Sequence, residues 1–190
     1  AALEDRSLTL DGILGVMDGR RPVGIRGLPR GDEREAGVLV ALYDDPAGGG
    51  PHVVLTRRSP SLASHSHEVS FPGGRRDPGD PDLWATALRE AAEEIGLDPR
   101  LPRLVGRLDP LVTVGSRSLI HPFVAVLPGP PTLVPNVDEV EAVLLVPLAE
   151  LLEDEVYREE EWARFEVPWI ITFFELEGDT VWGATAAMLR

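Results

Sequence analysis

The sequence contains neither cysteine nor lysine, and each absence narrows the classes of protein to which it can belong. Without cysteine, disulfide bonds and thiolate chemistry are excluded. Without lysine, the 18 basic residues are all arginine, and 32 acidic residues outnumber them to give a formal net charge of −14. This excess argues against a nucleic acid polymer as partner, because phosphate backbones need clustered cations. Small phosphorylated substrates remain compatible if a divalent cation and local arginine offset the field.

Long apolar runs are absent as well. A membrane-spanning helix needs roughly 20 apolar residues, and no such run occurs, so no membrane partner is expected. The first residues are acidic and lack the basic and apolar regions of a signal peptide, which predicts a cytoplasmic protein. The length of 190 residues predicts one domain over residues 1–190, with residues 1–35 as an N-terminal helix and connector that pack on it. The oligomeric state stays open.

The first part of the chain has the pattern of a helix, a connector and then strands. Residues 3–17 weakly favour a helix, and residues 22–34 are rich in Gly, Pro and Arg, as connectors are. Apolar runs at 36–45 and 52–59 flank a Gly/Pro turn and predict a β-hairpin. Residues 67–74 predict a third strand that ends at a Pro-Gly-Gly break.

Residues 80–95 change to a helical period. Asp80 is suited to the N-cap, Pro81 to the first helical position and Gly96 to the C-terminal end. The apolar residues that recur at helical spacing are Leu83, Ala87, Leu88, Ala91, Ala92 and Ile95. We expect this stripe, including Leu88, Ala92 and Ile95, to face a sheet.

The remaining segments alternate between strands and helices. The predicted strands cover residues 104–108, 119–126, 141–146 and 169–176. The predicted helices cover residues 148–152 and 182–190, while 157–166 is a charged surface segment, either a lid over the site or a solvated loop. Because strands and helices intermix, the predicted fold class is α+β.

Three glutamates give the clearest indication of chemistry. Glu90, Glu93 and Glu94 are related by i, i+3 and i+4, so a helix brings their carboxylates to one face. Like charges at this spacing repel, and anions near a helix C-terminus each cost roughly 0.3–1 kcal/mol. A hard divalent cation would remove the conflict, because carboxylate oxygens are its preferred ligands. A solvated acidic face is the alternative.

The residues around these glutamates resemble the Nudix box. That pattern is Gly, five residues, Glu, seven residues, and then Arg-Glu-apolar-x-Glu-Glu-x-Gly-apolar. The residues that match its second half are Arg89, Glu90, Ala91, Glu93, Glu94, Gly96 and Leu97. The first half departs from the pattern, because five residues after Gly74 lead to Asp80 and eight, instead of seven, then lead to Arg89.

That departure is similar to one branch of the family, the coenzyme A pyrophosphatases. The upstream signature of the branch resembles Leu55-Thr56-Arg57-Arg58-Ser59, Leu62, His65 and Phe71-Pro72-Gly73-Gly74 in this sequence. One position differs, since His67 precedes Glu68 where the branch tends to have Gly. The resemblance implies an α/β/α sandwich with a mixed β-sheet between helices, and Mg²⁺ as cofactor, with Mn²⁺ as a substitute.

The resemblance also implies roles for individual residues. Glu90 and Glu94 would be direct metal ligands, and Glu93 a third ligand or a water-mediated partner. Arg89 would orient these carboxylates. Glu139, before a later strand, is the preferred general base, although a base on the box helix or an ordinary surface acid are the alternatives. Arg89, Glu93 and Glu139 are therefore the catalytic candidates.

Substrate contacts are expected around the glycine turn. Gly73 and Gly74 would let the backbone approach the metal site, as only residues without a side chain can. Arg58 and Arg75 would meet substrate phosphates, or else belong to solvated loops. His65 and His67 have a spacing that zinc could use, but no cysteine or third histidine supports such a site. Trp182 would stack on a ligand or pack in the core.

The resemblance implies hydrolysis of coenzyme A, or an acyl-CoA, to 3′,5′-ADP and 4′-phosphopantetheine. A second hypothesis is a Nudix diphosphatase for another small nucleotide, such as a dinucleotide, a nucleoside diphosphate sugar or a nucleoside triphosphate. A third is a non-catalytic Nudix domain that binds a nucleotide and regulates another protein. The retained box glutamates argue against the third.

Overall fold

The computed structural model describes residues 8–18, 20–47, 49–60, 67–113, 116–163 and 169–190. Its helices are α1 (Leu10–Met17), α2 (Leu83–Ile95) and α3 (Gly183–Leu189), with a short 3-10 turn at Glu150–Leu152. Its strands are β1 (Arg34–Asp45), β2 (Gly50–Arg58), β3 (Val69–Ser70), β4 (Gly73–Arg75), β5 (Arg103–Arg107), β6 (Leu111–Val112), β7 (Ser118–Val126), β8 (Val140–Pro147), β9 (Tyr157–Trp162), β10 (Trp169–Leu176) and β11 (Asp179–Trp182). None of the described helices has the length and apolar character needed to cross a membrane.

The main sheet is mixed, as the family resemblance implied. Its central order is β3-β2-β1-β7-β5, with β4 on β1, β6 on β7 and β8 on β2. The pair β1–β7 is parallel, whereas β1 and β2 form the predicted antiparallel hairpin. The remaining described strands, β9 to β11, form a separate antiparallel sheet in the order β11-β10-β9.

Strand β1 divides the core into two layers because its side chains alternate between the faces of the sheet. One face holds Leu39, Ala41 and Tyr43, which pack with α2. The opposite face belongs to a cluster that contains Val38, Val40, Leu42, Met17, Phe174, Val181, Ala186 and Met188. Helix α2 therefore covers one face, while α1, α3 and the small sheet cover the other. The predicted α+β class, with a sheet between helices, is confirmed.

Helix α2 begins and ends at local signals. The carboxylate of Asp82 accepts a hydrogen bond from the Ala85 amide at 2.8 Å and caps the N-terminus. Gly96 ends the helix in the left-handed region, as expected. The prediction of Asp80 as N-cap was wrong, because Asp80 lies before the helix and binds Arg89 instead.

The buried stripe of α2 consists of Ala87, Ala91 and Ile95, each with no exposed surface. Leu88 and Ala92 are only half-buried, so their predicted place on the sheet-facing stripe was wrong. The small side chains of Ala87 and Ala91 let the helix approach β1 closely. Compared with the predicted stripe, the buried stripe is rotated about the helix axis away from Leu88. This rotation brings Glu94 into a buried position at the other side of the stripe.

Two further segments differ from the sequence-based expectations. The strand predicted over residues 67–74 is interrupted: β3 has two residues, and β4 begins at Gly73 and pairs with β1 instead of ending there. The charged segment predicted over 157–166 is exposed as expected, but its first part is strand β9, paired with β10, and not a loop. Of that segment, residues 164–166 lie outside the described part of the chain.

The close contact between α2 and β1 gives a prediction for Gly37. A Cβ atom at Gly37 would lie 2.3 Å from the Leu83 carbonyl oxygen and 3.2 Å from the Ala87 nitrogen, both backbone atoms that cannot move aside. We expect Gly37→Ala to lower the free energy of unfolding by about 1–3 kcal/mol, measured by urea denaturation. Gly129→Ala is the matched control, because no atom lies within 4 Å of its Cβ. Equal stability of the two variants would contradict this packing.

Candidate active site

Glu90 and Glu94 lie at the edge of the buried stripe of α2, against the glycine turn. This turn is the bend at Pro72 that leads into Gly73 and Gly74 of β4. The Gly73 amide donates a hydrogen bond to Oε2 of Glu94 at 3.0 Å. A Cβ atom on Gly74 would lie 2.5 Å from Cδ of Glu90. A Cβ on Gly73 would meet the Gly37 carbonyl oxygen at 2.4 Å. Glycine at both positions therefore lets the turn fit between β1 and the two carboxylates.

Both carboxylates lie in an unfavourable environment for negative charge. Burial raises the pKa of Glu94 to about 7, and the charges of Glu90 and Glu139 add to this rise, while the Gly73 amide and Arg58 oppose it. Burial also raises the pKa of Glu90, with Arg89 opposing and the charges of Glu93 and Glu139 reinforcing the shift. Desolvation and like charges are the usual causes of such shifts. The raised pKa values mean that the described protein groups offset negative charge on this pair only in part.

Arg89 binds three carboxylates and one carbonyl around this pair. Its Nε and one terminal nitrogen donate to the two Asp80 oxygens, both at 3.0 Å, which is a bidentate contact. It also lies 3.0 Å from Oε1 of Glu90 and donates to Oε2 of Glu93 at 2.9 Å. A further bond to the Arg75 carbonyl oxygen, at 3.1 Å, ties α2 to β4. Arg89 thus contacts the carboxylates of both Glu90 and Glu93.

Asp80 belongs to the site although it was not among the predicted site residues. Besides Arg89, its Oδ2 accepts bonds from the Thr86 hydroxyl and the Asp77 amide, each at 2.9 Å. The hydrogen bonds from Arg89 hold the pKa of Asp80 well below its usual range. Its position in the box pattern was the signal that could have identified it. The aspartate anchors Arg89 from the loop that precedes α2.

The charges of Glu139 and Arg58 both act on Glu94. The Asn136 amide donates to the Glu94 carbonyl oxygen at 2.8 Å, and the Ser59 amide donates to the Glu139 carbonyl oxygen at 2.8 Å. These bonds connect the segment before β8 to the end of α2 and to the end of β2. Glu139 is thereby close enough to raise the pKa of Glu94, and Arg58 close enough to lower it.

Two Arg-Arg pairs flank the site, Arg57-Arg58 and Arg75-Arg76. The three arginines other than Arg58 have different surroundings from it. Arg57 donates to Asp179 at 3.0 Å and forms an ion pair with Glu141 at 3.2 Å. Arg76 donates to the carbonyl oxygens of Asp80 and Pro81. The Arg75 side chain is exposed, and only its carbonyl oxygen contacts Arg89. Arg58 is thus the arginine among these four whose charge acts on Glu94.

The three candidate metal ligands, Glu90, Glu93 and Glu94, differ in how exposed their side chains are. Within the described residues, no three Asp, Glu or His side chains form a ready-made metal site. The Glu93 side chain is 56% exposed and bound to Arg89, whereas that of Glu90 is 18% exposed and Glu94 is buried. The pair itself offers the hard oxygen donors that a divalent cation prefers, and a cation would offset its charge. Glu90 and Glu94 fit such an ion.

The predicted residues therefore fall into two groups. The structure brings together Arg58, Gly73, Gly74, Arg89, Glu90, Glu94 and Glu139, and leaves the side chains of Arg75 and Glu93 at the periphery. Leu62 and His65 of the upstream signature lie outside the described residues. His67, the other histidine of the spacing considered for zinc, lies 3.4 Å from Oε2 of Glu141.

Comparison with known proteins gives consistent matches. The family model described as the NUDIX domain matches residues 33–166. Nudix hydrolase 22, chloroplastic, from Arabidopsis thaliana is 39% identical over 184 residues, which are 93% of this chain and 58% of that protein. The uncharacterized Nudix hydrolase NudL from Photorhabdus laumondii is 36% identical over 159 residues, which are 84% of this chain and 83% of that protein.

A solved structure supports the fold. A MutT/nudix family protein from Enterococcus faecalis matches with a TM-score of 0.52 over 97% of this chain and 68% of that one, at 14% identity. This chain spans only 58% of the length of the plant relative. The family match covers most of the chain and includes the glutamate-bearing helix and the glycine turn. The chain belongs to the Nudix family.

Proposed function

We propose that this chain hydrolyses the diphosphate bond of a small nucleotide-type molecule with the help of a divalent cation. The observation that carries the proposal is the pairing of Glu90 and Glu94 beside the glycine turn, where the charges of Arg58 and Glu139 act on Glu94. A divalent cation would stabilise the ionised form of the two carboxylates, and it would also neutralise the charge of diphosphate oxygens. A cytoplasmic setting is part of the same proposal.

The residues of the site would have different roles in binding the cation and the substrate. Glu90 and Glu94 would hold Mg²⁺, with Mn²⁺ as a substitute, and Glu93 would support them directly or through water. When bound, such an ion lowers the pKa of a coordinated water and neutralises phosphate charge. Arg89 keeps Glu90 in position from its contact with Asp80. Arg58 supplies a fixed positive charge for phosphate oxygens.

Proton removal from the attacking water is assigned to Glu139. The support for this assignment is that the charge of Glu139 acts on both Glu90 and Glu94 and raises their pKa values. Gly73 and Gly74 keep the approach to the pair free of side chains, and Arg75 at the periphery would meet an outlying phosphate. These roles use the chain's own groups for binding, orientation and proton transfer.

Coenzyme A, or an acyl-CoA, is the proposed substrate. The support is the residue pattern at 55–59 and 71–74, which resembles the coenzyme A pyrophosphatase branch. The products would be 3′,5′-ADP and 4′-phosphopantetheine. A different small nucleotide is the second candidate, because the box helix is common to the whole family. A non-catalytic regulator is disfavoured by the retained and buried carboxylates.

A panel of diphosphate substrates, assayed with Mg²⁺ and resolved by product, tests the substrate assignment. We expect kcat/KM for coenzyme A to exceed that for NADH, a sugar nucleotide and a nucleoside triphosphate by about tenfold or more, because one additional charge-assisted contact contributes about 1.5–3 kcal/mol. The products must be 3′,5′-ADP and 4′-phosphopantetheine. Faster cleavage of another member of the panel would assign the enzyme to that substrate instead.

A further inference from the structure

Apart from the candidate active site, a cavity opens between the main sheet and the β10–β11 hairpin. Its volume is about 580 Å³. The described residues that line it are Arg57, His67, Glu68, Glu141, Gly178, Asp179, Thr180 and Trp182. It shares strand β2 with the candidate active site: Arg57 points toward Asp179 of β11, while the next residue, Arg58, acts on Glu94 of α2. The cavity and the glutamate pair therefore lie on opposite faces of the sheet, both near the C-terminal end of β2.

Trp182 gives this cavity a rigid aromatic wall. Its ring stacks on Phe173, with centroids 6.4 Å apart and planes 13° apart, and it also contacts Trp162 at 6.3 Å. Phe173 is buried, yet Trp182 remains 39% exposed. A tryptophan fixed by packing on one side and open on the other loses little entropy when a flat ring stacks on it. The sequence had left open whether Trp182 stacks on a ligand or packs in the core; the structure shows both a packed and an exposed surface.

The charges of the cavity indicate which flat ring fits. Arg57 is held by Asp179 at 3.0 Å and by Glu141 at 3.2 Å. His67 lies 3.4 Å from the same Glu141 carboxylate. Among the described lining residues, both groups that can carry positive charge thus have carboxylate partners, and carboxylates outnumber them. Such a cavity disfavours a phosphate and favours a neutral group that donates hydrogen bonds, such as an amino group.

We infer that this cavity binds the nucleobase of the substrate, with an amino-bearing ring stacked on Trp182 and its amino group directed to the acidic wall. The inference rests on the proposed function only in taking the substrate to be a nucleotide-type molecule. Stacking on an aromatic side chain accepts any nucleobase, because every base has a flat π-face. The carboxylates of the cavity add a preference for bases that carry an amino group. The diphosphate would then pass around the end of β2 to Arg58 and the glutamate pair.

Binding of adenosine to the full chain tests this inference without any need for catalysis. Isothermal titration in the absence of divalent cation should detect adenosine, bind purine riboside more weakly because it lacks the amino group, and show no gain for AMP. Trp182→Ala should weaken adenosine binding by about tenfold or more. Trp182→Phe preserves a packed ring and should give an intermediate loss. Trp169→Phe is the matched control, since Trp169 is equally exposed on the same small sheet but does not line the cavity.

The outcomes separate this inference from the proposed function. Undetectable adenosine binding, or equal affinity in the wild type and in both Trp182 variants, overturns the inference even if the chain hydrolyses diphosphates. Displacement of adenosine by inorganic phosphate also overturns it, because it would show that the cavity accepts phosphate. Adenosine binding that depends on Trp182, in a chain that cleaves no diphosphate tested, would uphold the inference and refute the proposed function.

Discussion

Replacing Glu94 with glutamine is expected to lower kcat for diphosphate hydrolysis roughly 100-fold or more, equivalent to about 3 kcal/mol in the barrier. The amide has nearly the same shape, and its oxygen can still accept the bond that Gly73 donates at 3.0 Å. What it loses is the negative charge that a bound cation needs. Glu90→Gln should produce a comparable loss, because its carboxylate is the other donor of the pair.

The same Glu94 substitution should not destabilise the fold. Glu94 is 4% exposed, and an ionised carboxylate at such a position is unfavourable without a cation. We therefore expect the Tm of Glu94→Gln, measured without divalent cation, to equal or exceed that of the wild type. Low activity combined with unchanged or higher Tm separates a functional role from structural damage.

Glu155→Gln is the matched control for both substitutions. It makes the same chemical change at an exposed residue outside the site, so kcat and affinity for Mg²⁺ should stay at wild-type values. Calorimetric titration with Mg²⁺ should show weaker binding to the Glu90 and Glu94 variants. Near-full activity of both variants at limiting Mg²⁺ would refute the assignment of these glutamates as metal ligands.

The second large effect is expected for Gly74→Ala. The new methyl group would lie 2.5 Å from Cδ of Glu90 and 2.6 Å from each of its oxygens. Because the obstructed atoms are the end of a flexible side chain, the carboxylate can move aside and the fold should persist. Moving it disrupts both its contact with Arg89 and its pairing with Glu94. A displaced ligand or catalytic group commonly costs about 100-fold in rate.

Gly79→Ala provides the comparison for this prediction. Gly79 lies in the same connection before α2, but a Cβ there would have no atom within 4 Å. We expect kcat and Tm of Gly79→Ala to match the wild type, whereas Gly74→Ala should retain most of its Tm and lose most of its kcat. If Gly74→Ala were as active as Gly79→Ala, the position of Glu90 in this structure would not be the one used in catalysis.

Local sequence signals were sufficient for the elements that bear the chemistry. The hairpin followed from two apolar runs around a turn, and the carboxylates of α2 followed from i, i+3 and i+4 spacing. Gly96 ended the helix where its backbone freedom predicted. These features depend on residues within one or two turns of each other, so the sequence contains the information directly.

Competition between neighbouring signals was harder to resolve. Asp80 and Asp82 are both good N-caps, and the helix starts after the second because Arg89, further along the same helix, binds the first. Leu88 is more hydrophobic than Ala87, yet Ala87 is the residue that faces β1. A small side chain is required there, since the helix backbone passes within reach of Gly37.

The sequence alone determined the family, the helix that carries the glutamates and the glycine turn beside it, because spacing and residue type specify them locally. Only the tertiary structure decided which of these charges act together. Arg57 and Arg58 are adjacent in sequence but serve different faces of β2, because strand side chains alternate. Glu139 reaches Glu94 through backbone bonds between distant segments. Packing between distant segments determines which charged residues lie near one another. The order of neighbouring residues in the sequence does not reveal these pairings.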